Sequence, residues 1–81
     1  MEHKAVTLNT PADDPNRSIE VVEVHFKTND REFMLRVGRN NLTGDEVISI
    51  RICMEHAQIR AEYRDGARFY YENVDITWWK I

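Results

Sequence analysis

Eighty-one residues with a mass of 9.6 kDa hold one small domain and leave no room for a second, since single domains cluster at about 100–150 residues. The chain is 42% hydrophobic and 31% charged and has eight aromatics (Phe 3, Tyr 3, Trp 2), which excludes a disordered chain. Eleven basic against fourteen acidic residues give a net charge of −3, which argues against a surface built throughout to grip nucleic acid or anionic lipid, and the one cysteine rules out an internal disulfide.

Residues 1–18 are polar and contain Thr10-Pro11-Ala12-Asp13-Asp14-Pro15-Asn16, a composition of turns and extended chain. They are expected to form a flexible N-terminal arm, frayed or docked on the domain or on a partner. Residues 19–81 then form a single small β domain. No apolar run approaches 18 residues and residues 1–17 hold no hydrophobic signal stretch, so a cytoplasmic protein without membrane attachment is expected.

From Ile19 the apolar residues alternate. Val22, Val24 and Phe26 share a face, and Phe33, Leu35 and Val37 resume it after Asn29-Asp30. A two-residue loop there sets Phe26 against Phe33, Val24 against Leu35 and Val22 against Val37, and Asn and Asp both tolerate the positive φ that such loops need. Gly38 to Gly44 form a polar connection. Ile48, Ile50, Ile52 and Met54 alternate next, followed by Ala57, Ile59, Ala61 and Tyr63 on odd positions. A turn at Glu55-His56 explains the switch, pairing Ile52 with Ile59, Ile50 with Ala61 and Ile48 with Tyr63. The alternative is a helix near 55–65, where Glu55 to Arg64 are good helix formers and Gly66 supplies a C-terminal glycine.

An Arg64-Asp65-Gly66 loop, with Gly66 left-handed, pairs Ala61 with Phe69 and Ile59 with Tyr71. Glu72-Asn73 interrupts the alternation of the last segment, so Val74, Ile76 and Trp78 change face across a bulge or turn. The expected fold is mostly β, a five- or six-stranded antiparallel meander or small barrel.

Little assembled chemistry stands in the sequence. His3, His25 and His56 are not spaced with one another or with Cys53 as metal ligands, Asp13-Asp14 and Asp45-Glu46 point to opposite faces on extended chain, and no phosphate loop or nucleophile motif is present. Cys53 falls among outward positions, either accessible or covered by a neighbouring strand or subunit. The expectation is a non-enzymatic protein with no cofactor and no metal.

Binding has more support. Trp78 and Trp79 are adjacent, so on extended chain only one enters the core; Tyr70 and Tyr71 pose the same choice, with Tyr71 assigned inward. Tyr70 and Trp79 are therefore the candidates for an exposed aromatic patch of the kind that anchors interfaces. Arg51, Arg60 and Arg64 occupy outward positions, with Arg68 following and Glu62 interleaved, and Arg51 opposite Arg60 needs an acidic neighbour. The partner-binding residues expected on this basis are Tyr70, Trp79, Trp78, Arg51, Arg60 and Arg68.

Arg36-Val37-Gly38, Gly44-Asp45-Glu46-Val47, Gln58-Ile59-Arg60 and Asp75-Ile76 stand in the spacing of a known family. Over roughly residues 33–76 the chain resembles the carbon storage regulator (CsrA/RsmA) family of RNA-binding translational regulators. That resemblance implies five short strands, an intertwined dimer and binding of messenger RNA. The chain departs from the family where its RNA-holding arginine falls at Asn73, and in the thirty residues that precede the family's first strand. The favoured expectation is a binding module that acts on another protein, as an adaptor, immunity protein or phage-type inhibitor does. Homodimerisation is open, and a CsrA-like RNA-binding regulator is the alternative.

Overall fold

In the structure of the protein, a computed structural model, residues 10–39 and 45–81 are described. Seven strands follow a short 3-10 turn at Pro11–Asp13: β1 (Ile19–Val21), β2 (Glu23–Thr28), β3 (Arg31–Arg36), β4 (Val47–Cys53), β5 (Gln58–Tyr63), β6 (Arg68–Tyr71) and β7 (Asp75–Lys80). They form two antiparallel sheets, a four-stranded one in the order β1-β4-β5-β6 and a three-stranded one in the order β3-β2-β7. The expectation of a mostly β antiparallel fold holds. The five- or six-stranded meander and the closed barrel are corrected, because β1 pairs with β4 and β2 with β7 across long stretches of chain and the sheets stay separate.

The first hairpin has the expected register, with Phe26 opposite Phe33 and Val24 opposite Leu35. Asn29 and Asp30 both take positive φ (53° and 65°), the backbone of the tight loop whose twist matches that of the strands. Val37 donates its amide to Val22 O at 2.9 Å, continuing the ladder. The Val22 side chain nevertheless faces out. The chain bends there, passing from the four-stranded sheet to the three-stranded one, and Val21 takes the buried position.

In the second hairpin Ile52 pairs with Ile59 and Ile50 with Ala61, as expected. A register shift between Val47 and Ser49 then sets Val47, not Ile48, opposite Tyr63, so Val47 is buried and Ile48 exposed. The helix near 55–65 is not formed: Met54 to Ala57 make a turn closed by Ala57 N–H to Met54 O at 3.2 Å, and β5 follows. Met54 belongs to that turn and is exposed. Gly66, at φ 95°, turns the chain into β6, where Ala61 meets Phe69 and Ile59 meets Tyr71. Gly44 and most of the 38–44 connection lie outside the described residues.

The core sits between the sheets. Val21, Val24, Phe26, Leu35, Val47, Ile50, Ile52, Ile59, Ala61, Tyr63 and Val74 are buried together, and Phe26 stacks on Phe33 at 5.5 Å between ring centres. Burial of this apolar surface is the main favourable term in a domain without disulfides. A third layer is supplied by residues 10–18. Ala12 is fully buried and donates its amide to the buried Gln58 Oε1 at 2.8 Å. Within the arm expected over 1–18, Pro11–Asp13 pack on the outer face of β4 and β5; residues 1–9 lie outside the described residues.

Candidate protein-binding surface

Cross-strand partners in an antiparallel sheet share a face, so the registers alone place every candidate side chain. On the outer face of the four-stranded sheet one row runs Glu20, Arg51, Arg60, Tyr70. The like-charge pair Arg51 and Arg60 is present, and acids flank it. Arg51 lies 3.8 Å from Glu20, and Arg60 lies 3.0 Å from Glu62 and 3.4 Å from Asp13.

Two of the expected binding residues are consumed by the docked segment. The Tyr70 hydroxyl donates to the Asp13 carboxylate, 2.9 Å from each oxygen, and the Arg60 guanidinium reaches the same carboxylate and Ser49 Oγ. Burial first, then donation to Asp13, pushes the Tyr70 hydroxyl above its ordinary value. Neither side chain is free for a partner. Cys53, expected among outward positions, is fully buried in the pair Cys53–Gln58, on the row that Ala12 caps. Arg64 is held by Glu46 at 2.8 Å, and Arg68 stays exposed at the start of β6.

The tryptophans lie in the other sheet, so Tyr70 and Trp79 do not form one patch. A register shift in the β2–β7 ladder inserts Thr77 as an extra residue, leaving Ile76 opposite Phe26, Trp78 opposite His25 and Trp79 opposite Val24. Trp79, expected outward, therefore stands on the inner face at the margin of the core, 38% exposed. Trp78 stands on the outer face, 48% exposed.

The outer face of the three-stranded sheet is a grid of three rows, read from the two registers. The middle row is Met34, His25, Trp78; on one side of it run Glu32, Lys27, Asp75 and on the other Arg36, Glu23, Lys80. The charged rows alternate in sign, and the single negative excess of one offsets the single positive excess of the other. The Trp78 indole meets the His25 imidazole edge to face at 4.9 Å, and His25 Nε2 donates to Glu23 at 2.8 Å. That hydrogen bond holds the Glu23 carboxyl below the usual carboxylate range, against partial desolvation and with Arg36 at 3.5 Å adding to the effect. The half-exposed indole thus packs on a neighbour that is itself hydrogen-bonded. His25 and Met34 were not singled out from the sequence as binding residues, because only the paired registers bring them into one row with Trp78.

A concavity of about 360 Å³ opens beside the first hairpin loop and is lined by Lys27, Thr28, Asn29, Asp30, Asn73 and Asp75. It is polar and open. Among the described residues no three His, Cys, Asp or Glu side chains gather as metal ligands, and no helix is long and apolar enough to cross a membrane.

No protein-family model matches the chain, and neither the curated proteins nor the solved structures provide a match.

Proposed function

We propose that the protein is a small non-enzymatic binding module that works by covering a surface of another protein, in the manner of an adaptor, an immunity protein or a phage-type inhibitor. The outer face of the three-stranded sheet is its contact. One observation carries the reading: Trp78, on the edge strand β7, packs edge to face on His25 of the central strand, in a row whose far end is Met34, while almost half its surface meets solvent. A partly exposed tryptophan between two charged rows is the kind of residue that concentrates binding energy at protein interfaces. The rim defines the partner as a surface with an apolar centre and charges of both signs around it. Arg51 and Arg68 lie on the other sheet, outside this contact, whereas Arg60 and Tyr70 serve the fold.

The test is affinity capture from lysate of the source cell on immobilised wild type and Trp78→Ala, each with and without ribonuclease. A protein retained by the wild type, lost with Trp78→Ala and indifferent to ribonuclease supports the reading. Retention that disappears with ribonuclease and with rising salt instead supports the RNA-binding alternative on the arginines.

A further inference from the structure

The three-stranded sheet ends on an open strand. β7 pairs only with β2, and no described strand lies on its far side. Four of its six residues, Ile76-Thr77-Trp78-Trp79, are uncharged and suited to a strand, and natural sheets seldom leave such an edge without a device to protect or use it. The opposite edge, β3, is by contrast studded with Arg31, Glu32 and Arg36.

The bulge at Thr77 gives β7 a property a regular strand of six residues lacks. Asp75 lies opposite Lys27 and Lys80 opposite Glu23, both on the outer face, while Ile76 and Trp79 lie opposite Phe26 and Val24, both on the inner face. In an uninterrupted strand, residues five apart face opposite ways, as do residues three apart. Here the extra residue restores the phase, so the order of faces is the same read from either end. A strand of that kind can pair antiparallel with its own copy about a two-fold axis perpendicular to the sheet, keeping outer faces together and inner faces together.

Charge and shape agree in that register. Asp75 meets Lys80 of the second copy, and Lys80 meets Asp75, while Ile76 meets Trp79 twice. The outer row then runs through six strands as Glu32, Lys27, Asp75, followed by Lys80, Glu23, Arg36 of the second copy, with the sign of the charge changing at every step. On the inner side, the half-exposed Trp79 gains Ile76 of the second copy as a cover. Backbone direction is consistent as well. Lys80 turns its carbonyl toward the β2 side, where it accepts the Val22 amide at 2.8 Å, so the neighbouring Trp79 turns its own amide and carbonyl to the open side, and Ile76, on the same face, does likewise.

We propose that the occupant of this edge is a second copy of the chain, joined β7 to β7 with Asp75 opposite Lys80, which makes one continuous six-stranded sheet. The dimer leaves Trp78 on the outer face, opposite Thr77 of the second copy, and the proposal does not rest on what that face binds.

The test is the solution mass of the full chain by sedimentation velocity, for wild type, Asp75→Lys and Lys80→Asp, with circular dichroism to establish the fold of each. Wild type is expected at twice 9.6 kDa. Each single reversal sets like charges together at both ends and is expected to be monomeric. Mixing the two variants makes every end complementary again and is expected to restore a heterodimer. A measurement on wild type alone covers the case in which a variant fails to fold: carbodiimide coupling of mixed 14N and 15N chains is expected to link Asp75 of one isotope to Lys80 of the other. A monomeric wild type, a dimer that both reversals leave intact, reversals that dissociate it without rescue on mixing, or a dimer with no inter-chain Asp75–Lys80 link overturns the proposal.

Discussion

The Tyr70 hydroxyl and the Asp13 carboxylate, 57 residues apart in the chain, meet at 2.9 Å and fasten residues 10–18 to the four-stranded sheet. Asp13 also accepts from Thr10 Oγ1 at 2.7 Å and faces Arg60 at 3.4 Å, whose Nε is buried without a partner among the described residues. Removing the carboxylate leaves a largely buried guanidinium with Glu62 as its remaining acid. Asp13→Ala is expected to lower stability by about 2–3 kcal/mol, and Tyr70→Phe, which loses one hydrogen bond, by about 1 kcal/mol, both read from urea unfolding. Equal, negligible losses would show that the segment contributes nothing to the fold.

The bulge at Thr77 assigns the two tryptophans different work. Trp79 faces inward beside Val24 and Trp78 outward beside His25. Trp79→Ala is expected to cost about 2 kcal/mol, below the 3–5 kcal/mol of a fully buried aromatic because part of the ring is already wet. Trp78→Ala is expected to stay under about 1 kcal/mol. The reverse order in thermal or urea unfolding would contradict the faces described here.

Alkaline pH probes the core through Tyr71. Burial first, then the neighbouring Tyr63, pushes its hydroxyl from the ordinary 10.0 up to about 12. The folded state therefore holds the proton more tightly than the unfolded chain. This contribution to stability is complete below pH 10 and is lost as pH rises through about 12. The urea midpoint of the wild type is expected to fall across that window and to fall less in Tyr71→Phe. Phenolate absorbance of the folded protein should show a tyrosine ionising near 12 that Tyr71→Phe removes, and a folded-state titration that Tyr71→Phe leaves unchanged near 12 would place Tyr71 outside the core.

How much of this was legible in the sequence depends on distance along the chain. Asn29-Asp30 and Gly66 announce their turns, and alternation beside a turn sets register, so the pairs Phe26–Phe33, Ile52–Ile59 and Ala61–Phe69 were readable from local chemistry. The pairs Ile19–Ile52 and Phe26–Ile76 are not local, and nothing in a strand's own pattern names its distant neighbour; hence two sheets replace a meander. Period-two reading also fails at each irregularity. The bend at Val22, the shift around Ile48 and the extra Thr77 each exchange inside for outside, and they account for several of the residues where burial differs from expectation. Tyr70 and Arg60 looked available because the polar composition of residues 10–18 gave no sign that Ala12 and Asp13 would cover them.

The claim that the Trp78 face meets a protein partner is tested most directly by photocrosslinking. p-Benzoylphenylalanine is placed at position 78 in one variant and at position 51, on the outer face of the other sheet, in a second, and both are irradiated in lysate of the source cell. The expected result is a discrete protein adduct from position 78 that survives ribonuclease, with none from position 51. An adduct from position 51 alone, or one from position 78 that ribonuclease abolishes, would contradict it.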